Sequence, residues 1–178
     1  MIRSPDQLRD RLVFIDANIL INLIHLNQLP LLASLPGYRF ASPSEVIDEV
    51  IDEVNRPSHA AMIERALHEG YFIPIEVFDS EQERLIADFR LNMGAGEAAC
   101  LALAATSEHL VASDEKGRFL RLALQLVGEA RILRTEDLIV HAIRCGLFTV
   151  AQADAFKQVL ADHRYLMPID SFATLMAA

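Results

Sequence analysis

The chain has 178 residues, of which 52% are apolar and 23% are charged, and its formal net charge at pH 7 is −9. This length fits one domain that buries roughly two-thirds of its unfolded surface, and the composition excludes the disordered class of proteins. The negative charge argues against a protein that coats nucleic acid through a basic face, but it is compatible with an enzyme whose active site is itself acidic.

The first predicted elements are a strand and a helix that meet at Asp16. Residues 12–15 form a short apolar run that predicts a buried strand, and the apolar stretch from Ala17 to Asn27 predicts a helix. This region is too short and too polar to span a bilayer, and no basic-then-apolar signal peptide precedes it. We therefore expect a cytoplasmic protein with no membrane partner.

The next helix carries the clearest start signal in the chain. After a short strand at 38–41, we expect Ser42 to be the N-cap, Pro43 the first helical residue and Glu45 the acidic partner in a capping box. A break predicted at residues 55–57 (NRP) ends this helix.

Strands and helices alternate through the rest of the chain, which indicates βαβ units around a mainly parallel sheet. Cys100 and Cys145 have no motif spacing, and both are expected to be buried thiols. We expect one α/β domain over residues 1–178, with its core at about 12–147 and a C-terminal helical extension at about 148–178. The remaining predicted elements are a helix at 58–69 capped by Ser58, an edge strand at 71–77 that contains Pro74, a helix at 80–90, a helix at 97–106, a strand at 110–113, a helix at 118–126, a strand at 131–133, a helix at 135–146 capped by Thr135, and a helix at 149–162 with a capping box of Thr149 and Gln152.

Two aspartates, Asp16 and Asp114, directly follow apolar runs that predict buried strands. In open α/β sheets, ligands bind outside the carboxyl ends of the strands, so we expect both side chains to project into one crevice. Helix capping is the alternative for each residue, because an aspartate at this point can accept hydrogen bonds from the amides that follow it.

Two glutamates are candidates for the same crevice. Glu49 lies one helical turn beyond Glu45 and has no evident capping role, although a solvated helix face would also explain it. Glu97 opens a helix of small apolar residues, where a favourable charge at the helix N-terminus is the alternative. Gly94 and Gly96 would allow a ligand or another backbone to approach at that point.

Four carboxylates in one crevice would repel one another, by about 4 kcal/mol for a pair 4 Å apart at an effective dielectric constant of 20. Such a cluster persists only when its members are protonated or hold a cation. Oxygen ligands select Mg²⁺ or Mn²⁺ rather than zinc, and two such ions can support phosphodiester hydrolysis. Asp16, Glu49, Glu97 and Asp114 are thus the expected metal ligands and catalytic residues.

Four segments of the chain resemble, in order and spacing, the motifs of PIN-domain proteins. They are similar to the first strand and helix of that family, its second strand and helix, its glycine–glutamate helix start and its fourth acidic motif. The segments are 13–21 (VFIDANILI), 42–50 (SPSEVIDEV), 94–104 (GAGEAACLALA) and 111–118 (VASDEKGR). Their acidic positions are the four carboxylates named above.

The resemblance implies a PIN-like three-layer α/β/α sandwich, bound Mg²⁺ or Mn²⁺, and an endoribonuclease that hydrolyses RNA. Asn18 and Ser113 would then support the metal site. Many small members are toxins of the VapC type, held inactive by an antitoxin protein and often dimeric, so the resemblance extends to an antitoxin partner and a homodimer. Many members have a second aspartate where this chain has Glu115, which leaves the role of Glu115 open. Asp137 is a further candidate ligand, with a helix-dipole role as the simpler account.

Other functions fit the same residues less well. Residues 94–99 satisfy the G-x-G-x-x-A form of the dinucleotide fingerprint, but the segment before them is polar and helical instead of a buried strand. The main alternative is a catalytically weak or inactive PIN-like module that binds protein or RNA, and the acidic residues at all four positions argue against it. Arg118 and Arg121 follow one turn apart and could hold RNA phosphates, unless they only form a solvated helix face.

Overall fold

A parallel β-sheet forms the centre of the protein in a computed structural model that describes residues 11–54, 57–77 and 79–176. Within those residues the sheet has five strands, all parallel, in the spatial order β3-β2-β1-β4-β5. Helices cover the sheet, so the predicted three-layer α/β/α architecture is confirmed. The strands are β1 (Arg11–Ile15), β2 (Tyr38–Pro43), β3 (Ile73–Ile75), β4 (Leu110–Ala112) and β5 (Ile132–Leu133).

Ten α-helices accompany the sheet in the described part of the chain, and two of them, α2 and α10, were not predicted. Both are short, and neither carries enough apolar periodicity to stand out from its neighbours in sequence. The helices are α1 (Ala17–His25), α2 (Leu31–Ser34), α3 (Ser44–Val54), α4 (Pro57–His68), α5 (Ser80–Phe89), α6 (Ala95–Ala105), α7 (Gly117–Leu126), α8 (Thr135–Arg144), α9 (Val150–Asp162) and α10 (Phe172–Met176).

The hydrophobic core has two parts. The larger part joins the sheet to the helices around it. Helix α6 is buried there on nearly every side, which its small apolar residues allow. A smaller part fixes the C-terminal segment to the rest of the protein, with Leu160 of α9 and Phe172 of α10 packed in one cluster with Leu26 and Ile139. No described helix is long and apolar enough to cross a membrane.

The prediction that Ser42 caps a helix was wrong. Ser42 is completely buried in β2, where its hydroxyl donates to the carbonyl of Ile15 at 3.2 Å, and Pro43 pairs with Ile75 of β3. The strand therefore continues two residues further than expected, and the helix begins at Ser44. Tertiary pairing decides this boundary over the local capping signal.

Other helix starts also differ in detail. Thr135 is the first residue of α8, not its cap, and α4 begins at Pro57. The capping box of Thr149 and Gln152 is confirmed. The Thr149 hydroxyl accepts from the backbone amide of Gln152 at 3.2 Å, and the Gln152 side-chain oxygen accepts from the backbone amide of Thr149. Residues 55–56 of the predicted break and the Ser58 side chain lie outside the part of the chain that is described, whereas Pro57, the third residue of the predicted break, is helical.

The two cysteines have different environments. Cys100 is fully buried in α6, and its thiol donates to the carbonyl of Ile15 at 3.4 Å. Cys145 is exposed at the end of α8, so the expectation of a buried thiol was wrong there. The residue is the C-cap of α8, and its amide donates to the carbonyl of His141 at 3.0 Å.

Candidate active site

Asp16 lies at the carboxyl end of the central strand and is only 2% exposed. Its Oδ1 atom accepts a hydrogen bond from the backbone amide of Ala17 at 2.8 Å, which makes it the N-cap of α1. Its Oδ2 atom accepts from the Asn18 amide at 2.9 Å and from the Ser113 hydroxyl at 2.8 Å. Asp16 therefore both caps a helix and presents a fixed carboxylate at the end of the sheet.

A cleft of about 170 Å³ opens beside Asp16 and collects carboxylates from three other parts of the fold. Glu49 comes from the middle of α3, Glu97 from the first turn of α6, and Glu115 from the segment that follows β4. None of the described residues that line the cleft is basic. The lining residues are Asp16, Ala17, Asn18, Ile21, Glu49, Glu97 and Glu115, and we call this site the acidic cleft.

The carboxylates of the acidic cleft affect one another electrostatically. Burial raises the pKa of Asp16 to about 7, against the opposing hydrogen bonds from Ser113 and Ala17, and the negative charges of Glu97 and Glu115 add to the rise. The pKa of Glu97 is raised by burial and then by the charges of Glu115 and Glu49. The site thus concentrates negative charge that a bound cation would relieve.

Asn18 and Ser113 connect the two strand ends that build the cleft. The Asn18 amide group donates to Asp16 and, at 3.1 Å, to Oε1 of Glu115. The Ser113 hydroxyl donates to Asp16 and accepts from the backbone amide of Glu115 at 3.1 Å. These two residues therefore fix the carboxylates of Asp16 and Glu115 relative to each other.

Gly96 allows α3 and α6 to approach closely beside the cleft. A Cβ atom at this position would lie 2.8 Å from Oε2 of Glu49 and 2.8 Å from Cγ2 of Val46. Val46 is fully buried, and its branched side chain has little freedom to move away. A glycine is thus required for Glu49 and Glu97 to face one cleft from two neighbouring helices.

The structure does not bring the Asp114 side chain to the acidic cleft. Its Oδ1 atom accepts from the backbone amide of Thr135 at 2.9 Å and from the Tyr165 hydroxyl at 2.8 Å. Its Oδ2 atom accepts from the side-chain amide of Asn22 at 2.9 Å and from the Thr135 hydroxyl at 2.5 Å. Burial raises the pKa of this carboxyl, and the hydrogen bonds from Thr135 and Tyr165 oppose the rise. Both oxygens are thus engaged inside the protein.

Glu115 stands at the cleft where Asp114 was expected. The segment that follows β4 stays paired with β5 at its first residue, because the Ser113 amide donates to the carbonyl of Leu133 at 2.9 Å. In extended chain, successive side chains point to opposite sides, so Ser113 and Glu115 share one side and Asp114 takes the other. The hydroxyl at 113 and the acid at 115 form a two-residue pattern that could have identified Glu115 from the sequence.

The donors of the acidic cleft fit a hard divalent cation, because they are carboxylate and amide oxygens without thiol or imidazole groups. In their present side-chain positions, the described residues contain no group of three or more Asp, Glu, His or Cys side chains arranged to hold a metal ion. Glu49 is exposed and Glu97 and Glu115 are half-buried, whereas Asp16 is fixed. The chemistry of the site therefore fits Mg²⁺ or Mn²⁺, with Asp16 as its rigid member.

Arg118 and Arg121 are both exposed on α7, just after Glu115. They line a groove of about 390 Å³ between α5 and α7, and Arg118 donates to the side chain of Asn92 across it. The turn that carries Asn92 leads into Gly94 and α6, and α7 begins two residues after Glu115, so two segments of the groove are followed or preceded in sequence by residues of the acidic cleft. The groove residues are Asp88, Phe89, Asn92, Met93, Arg118, Arg121, Leu122 and Gln125.

Asp137 lies away from the acidic cleft. Its carboxylate accepts from the backbone amide of Arg134 at 2.8 Å, at the N-terminus of α8. It lines a separate groove beside β5, together with His141 and Arg144. The helix-terminus role expected as the simpler account is the one that the contacts support.

Comparison with known proteins agrees with this geometry. A family model described as a PIN domain matches residues 12–138, which is more than half of the chain and includes the whole acidic cleft. The chain belongs to the PIN-domain family. PIN domains are generally nucleases that act on RNA and typically use divalent metals. No curated protein matches the chain.

Replacing Gly96 with alanine tests the close approach of α3 and α6. Alanine inside a helix normally stabilises by about 0.5–1 kcal/mol relative to glycine. Here the added Cβ meets Val46 and Glu49, so we expect Gly96→Ala to lower the free energy of unfolding by about 1–3 kcal/mol in a urea titration. Gly94→Ala is the matched control, because its Cβ would lie 3.4 Å from the nearest Glu97 atom, and it should cost under about 1 kcal/mol. A more stable Gly96→Ala protein would contradict the contact.

The raised pKa of Asp16 predicts a pH dependence of stability in the metal-free protein. Its pKa is about 7 in the folded chain and near 3.8 when unfolded. The folded state therefore binds more protons between these values, and stability falls as the pH rises through that range. With EDTA present, the wild type should lose on the order of 2–3 kcal/mol more than Asp16→Asn between pH 5 and pH 8. Equal losses in urea titrations would show that Asp16 titrates at its ordinary value.

Proposed function

We propose that this PIN-domain protein is a divalent-metal-dependent endoribonuclease. The observation that carries the proposal is the convergence of Asp16, Glu49, Glu97 and Glu115 on one cleft, whose described lining contains no basic residue. Repulsion among these groups is costly without a cation, and their oxygens are the ligands that Mg²⁺ and Mn²⁺ prefer. Glu115 thereby takes the place that the sequence prediction gave to Asp114.

The polar residues of the acidic cleft have two tasks in this proposal, which are to hold the metal and to orient its ligands. Asp16, Glu49, Glu97 and Glu115 would hold Mg²⁺ or Mn²⁺, and Asn18 would orient two of these carboxylates through the hydrogen bonds that it donates. A bound divalent ion supplies an activated water and stabilises the leaving oxygen of a phosphodiester. The rigid Asp16 reduces the cost of organising the site, because three hydrogen bonds already fix its carboxylate.

The groove between α5 and α7 suits a single strand of RNA. Arg118 and Arg121 supply positive charge in a protein whose net charge is −9, and arginine forms bidentate contacts with phosphates. Asn92 and Gln125 offer amide groups that can bond the Watson–Crick edges of bases, which are free only in unpaired RNA. Because α7 begins two residues after Glu115, we propose that a strand bound there continues to the carboxylates of the cleft.

The antitoxin partner and the homodimer stay predictions that rest on the resemblance to small toxins of the family. An antitoxin would have to cover the acidic cleft or the arginine groove to prevent cleavage. Neither partner is needed for the metal site proposed above, because every carboxylate in it comes from one chain.

Two variants separate the metal site from the RNA groove. Glu115→Gln keeps the shape but removes a negative charge, so Mn²⁺ should no longer raise its melting temperature and its RNA cleavage should fall at least about 100-fold. Arg118→Ala should keep the wild-type response to Mn²⁺ while its KM for single-stranded RNA rises about tenfold. Differential scanning fluorimetry and cleavage of a labelled RNA measure the two effects.

Matched controls change the same residue types elsewhere. Glu129→Gln alters an exposed glutamate beside β5, and Arg39→Ala alters an exposed arginine near the amino end of β2. Both should behave as wild type in the two assays. Cleavage by Glu115→Gln at the wild-type rate would remove Glu115 from the site, and an unchanged KM in Arg118→Ala would remove the groove from RNA binding.

A further inference from the structure

Tyr165 comes from outside the matched PIN segment, yet its hydroxyl reaches the strand end that builds the acidic cleft. It lies 2.8 Å from Oδ1 of Asp114 and 2.7 Å from Oε2 of Glu136. The family match ends at residue 138, so this contact joins the C-terminal segment to the residues that precede Glu115. The contact spans 51 residues of sequence and is part-buried.

The C-terminal segment holds the Tyr165 ring firmly in position. α9 ends at Asp162, and Arg164 takes a left-handed conformation with φ of 68°, which reverses the chain. The Tyr165 amide then donates to the carbonyl of Leu160 at 2.9 Å. The ring packs against the smaller core cluster, which contains Leu160 and Phe172. The hydroxyl is therefore presented to Asp114 by a packed element and not by a free tail.

The backbone of Asp114 links the Tyr165 contact to the cleft, because it is hydrogen-bonded to Asn18. Its amide donates to Oδ1 of Asn18 at 3.0 Å, while the other end of the Asn18 amide group donates to Asp16 and Glu115. A rotation of the Asp114 backbone would therefore disturb the one side chain that bonds both carboxylates. It would also displace Glu115, which is the next residue.

We propose that Tyr165 is a positioning residue for the acidic cleft: its hydroxyl fixes Asp114, and Asp114 fixes the orientation of Asn18 and Glu115. This inference rests on the function proposed above. It assigns the segment after residue 138 a role in the site, although none of its described residues, up to 176, lines the cleft.

The hydroxyl group itself, and not the ring, carries the role. Asp114 and Glu136 both direct a carboxylate oxygen at this one hydroxyl. Without it the two acids would face each other across a part-buried space, and Asp114 would keep only its bonds from Asn22 and Thr135. A phenylalanine fills the same volume, so Tyr165→Phe removes the positioning bond while the packing of the ring is retained.

The test compares Tyr165→Phe with Tyr71→Phe in the full chain. Tyr71 is a suitable control because its hydroxyl also bonds a glutamate, Glu69 at 2.9 Å, but on an exposed surface. Amide hydrogen exchange without metal is measured first. The Asp114 and Glu115 amides should exchange about tenfold faster in Tyr165→Phe, with amides of the central strand such as Phe14 unchanged. Titration with Mn²⁺ should then show about tenfold weaker binding.

Each result has a distinct meaning. When the wild type binds Mn²⁺, unchanged exchange at Asp114 and Glu115 in Tyr165→Phe, or an Mn²⁺ affinity of this variant equal to that of the wild type, would overturn the positioning role. Faster exchange over the whole chain, with Mn²⁺ affinity unchanged, would make Tyr165 a stabilising residue only and would also overturn it. Local loss of protection in a protein whose wild type neither binds Mn²⁺ nor cleaves RNA would uphold the link to the strand end and reject the proposed function.

Discussion

The fold of this protein is organised around a carboxylate that is almost completely withdrawn from water. Asp16 ends the central strand, and burying an unpaired charge of this kind would be prohibitive. Three donors, from Ala17, Asn18 and Ser113, make its position tolerable, and they tie together the first helix and the end of β4. Because β2 and β4 flank β1 in parallel, the elements that follow all three strands begin at the same edge of the sheet.

A second buried carboxylate, that of Asp114, anchors the fold and does not face the cleft. Asp114 points away from the cleft and is enclosed by donors from α1, from the start of α8 and from the C-terminal segment. Its neighbours Ser113 and Glu115 face the cleft because extended chain alternates its side chains. One short segment thus anchors the fold through its middle residue and serves the site through the residues on either side.

The sequence was sufficient for the parallel sheet, for most helices and for the positions of Asp16, Glu49 and Glu97 at one cleft. Those predictions depend on apolar runs, helical periodicity and the convergence of strand ends, which are local or topological properties. The side chain of Asp114 is held by donors from Asn22, Thr135 and Tyr165, which lie 92, 21 and 51 residues away in sequence, so no local pattern shows where these donors lie. Ser42 failed as a cap for the same reason, since pairing with β3 extends its strand.

The most direct test of the account is the cleavage of a mixed pool of RNA by the purified protein, with Mn²⁺ or with EDTA, beside an Asp16→Asn variant. The account predicts internal cleavage that requires Mn²⁺, stops with EDTA and is lost in the variant, because the rigid carboxylate of the cleft is then absent. Cleavage that persists in EDTA or in Asp16→Asn would contradict it, as would a wild-type protein that neither cleaves RNA nor gains thermal stability from Mn²⁺.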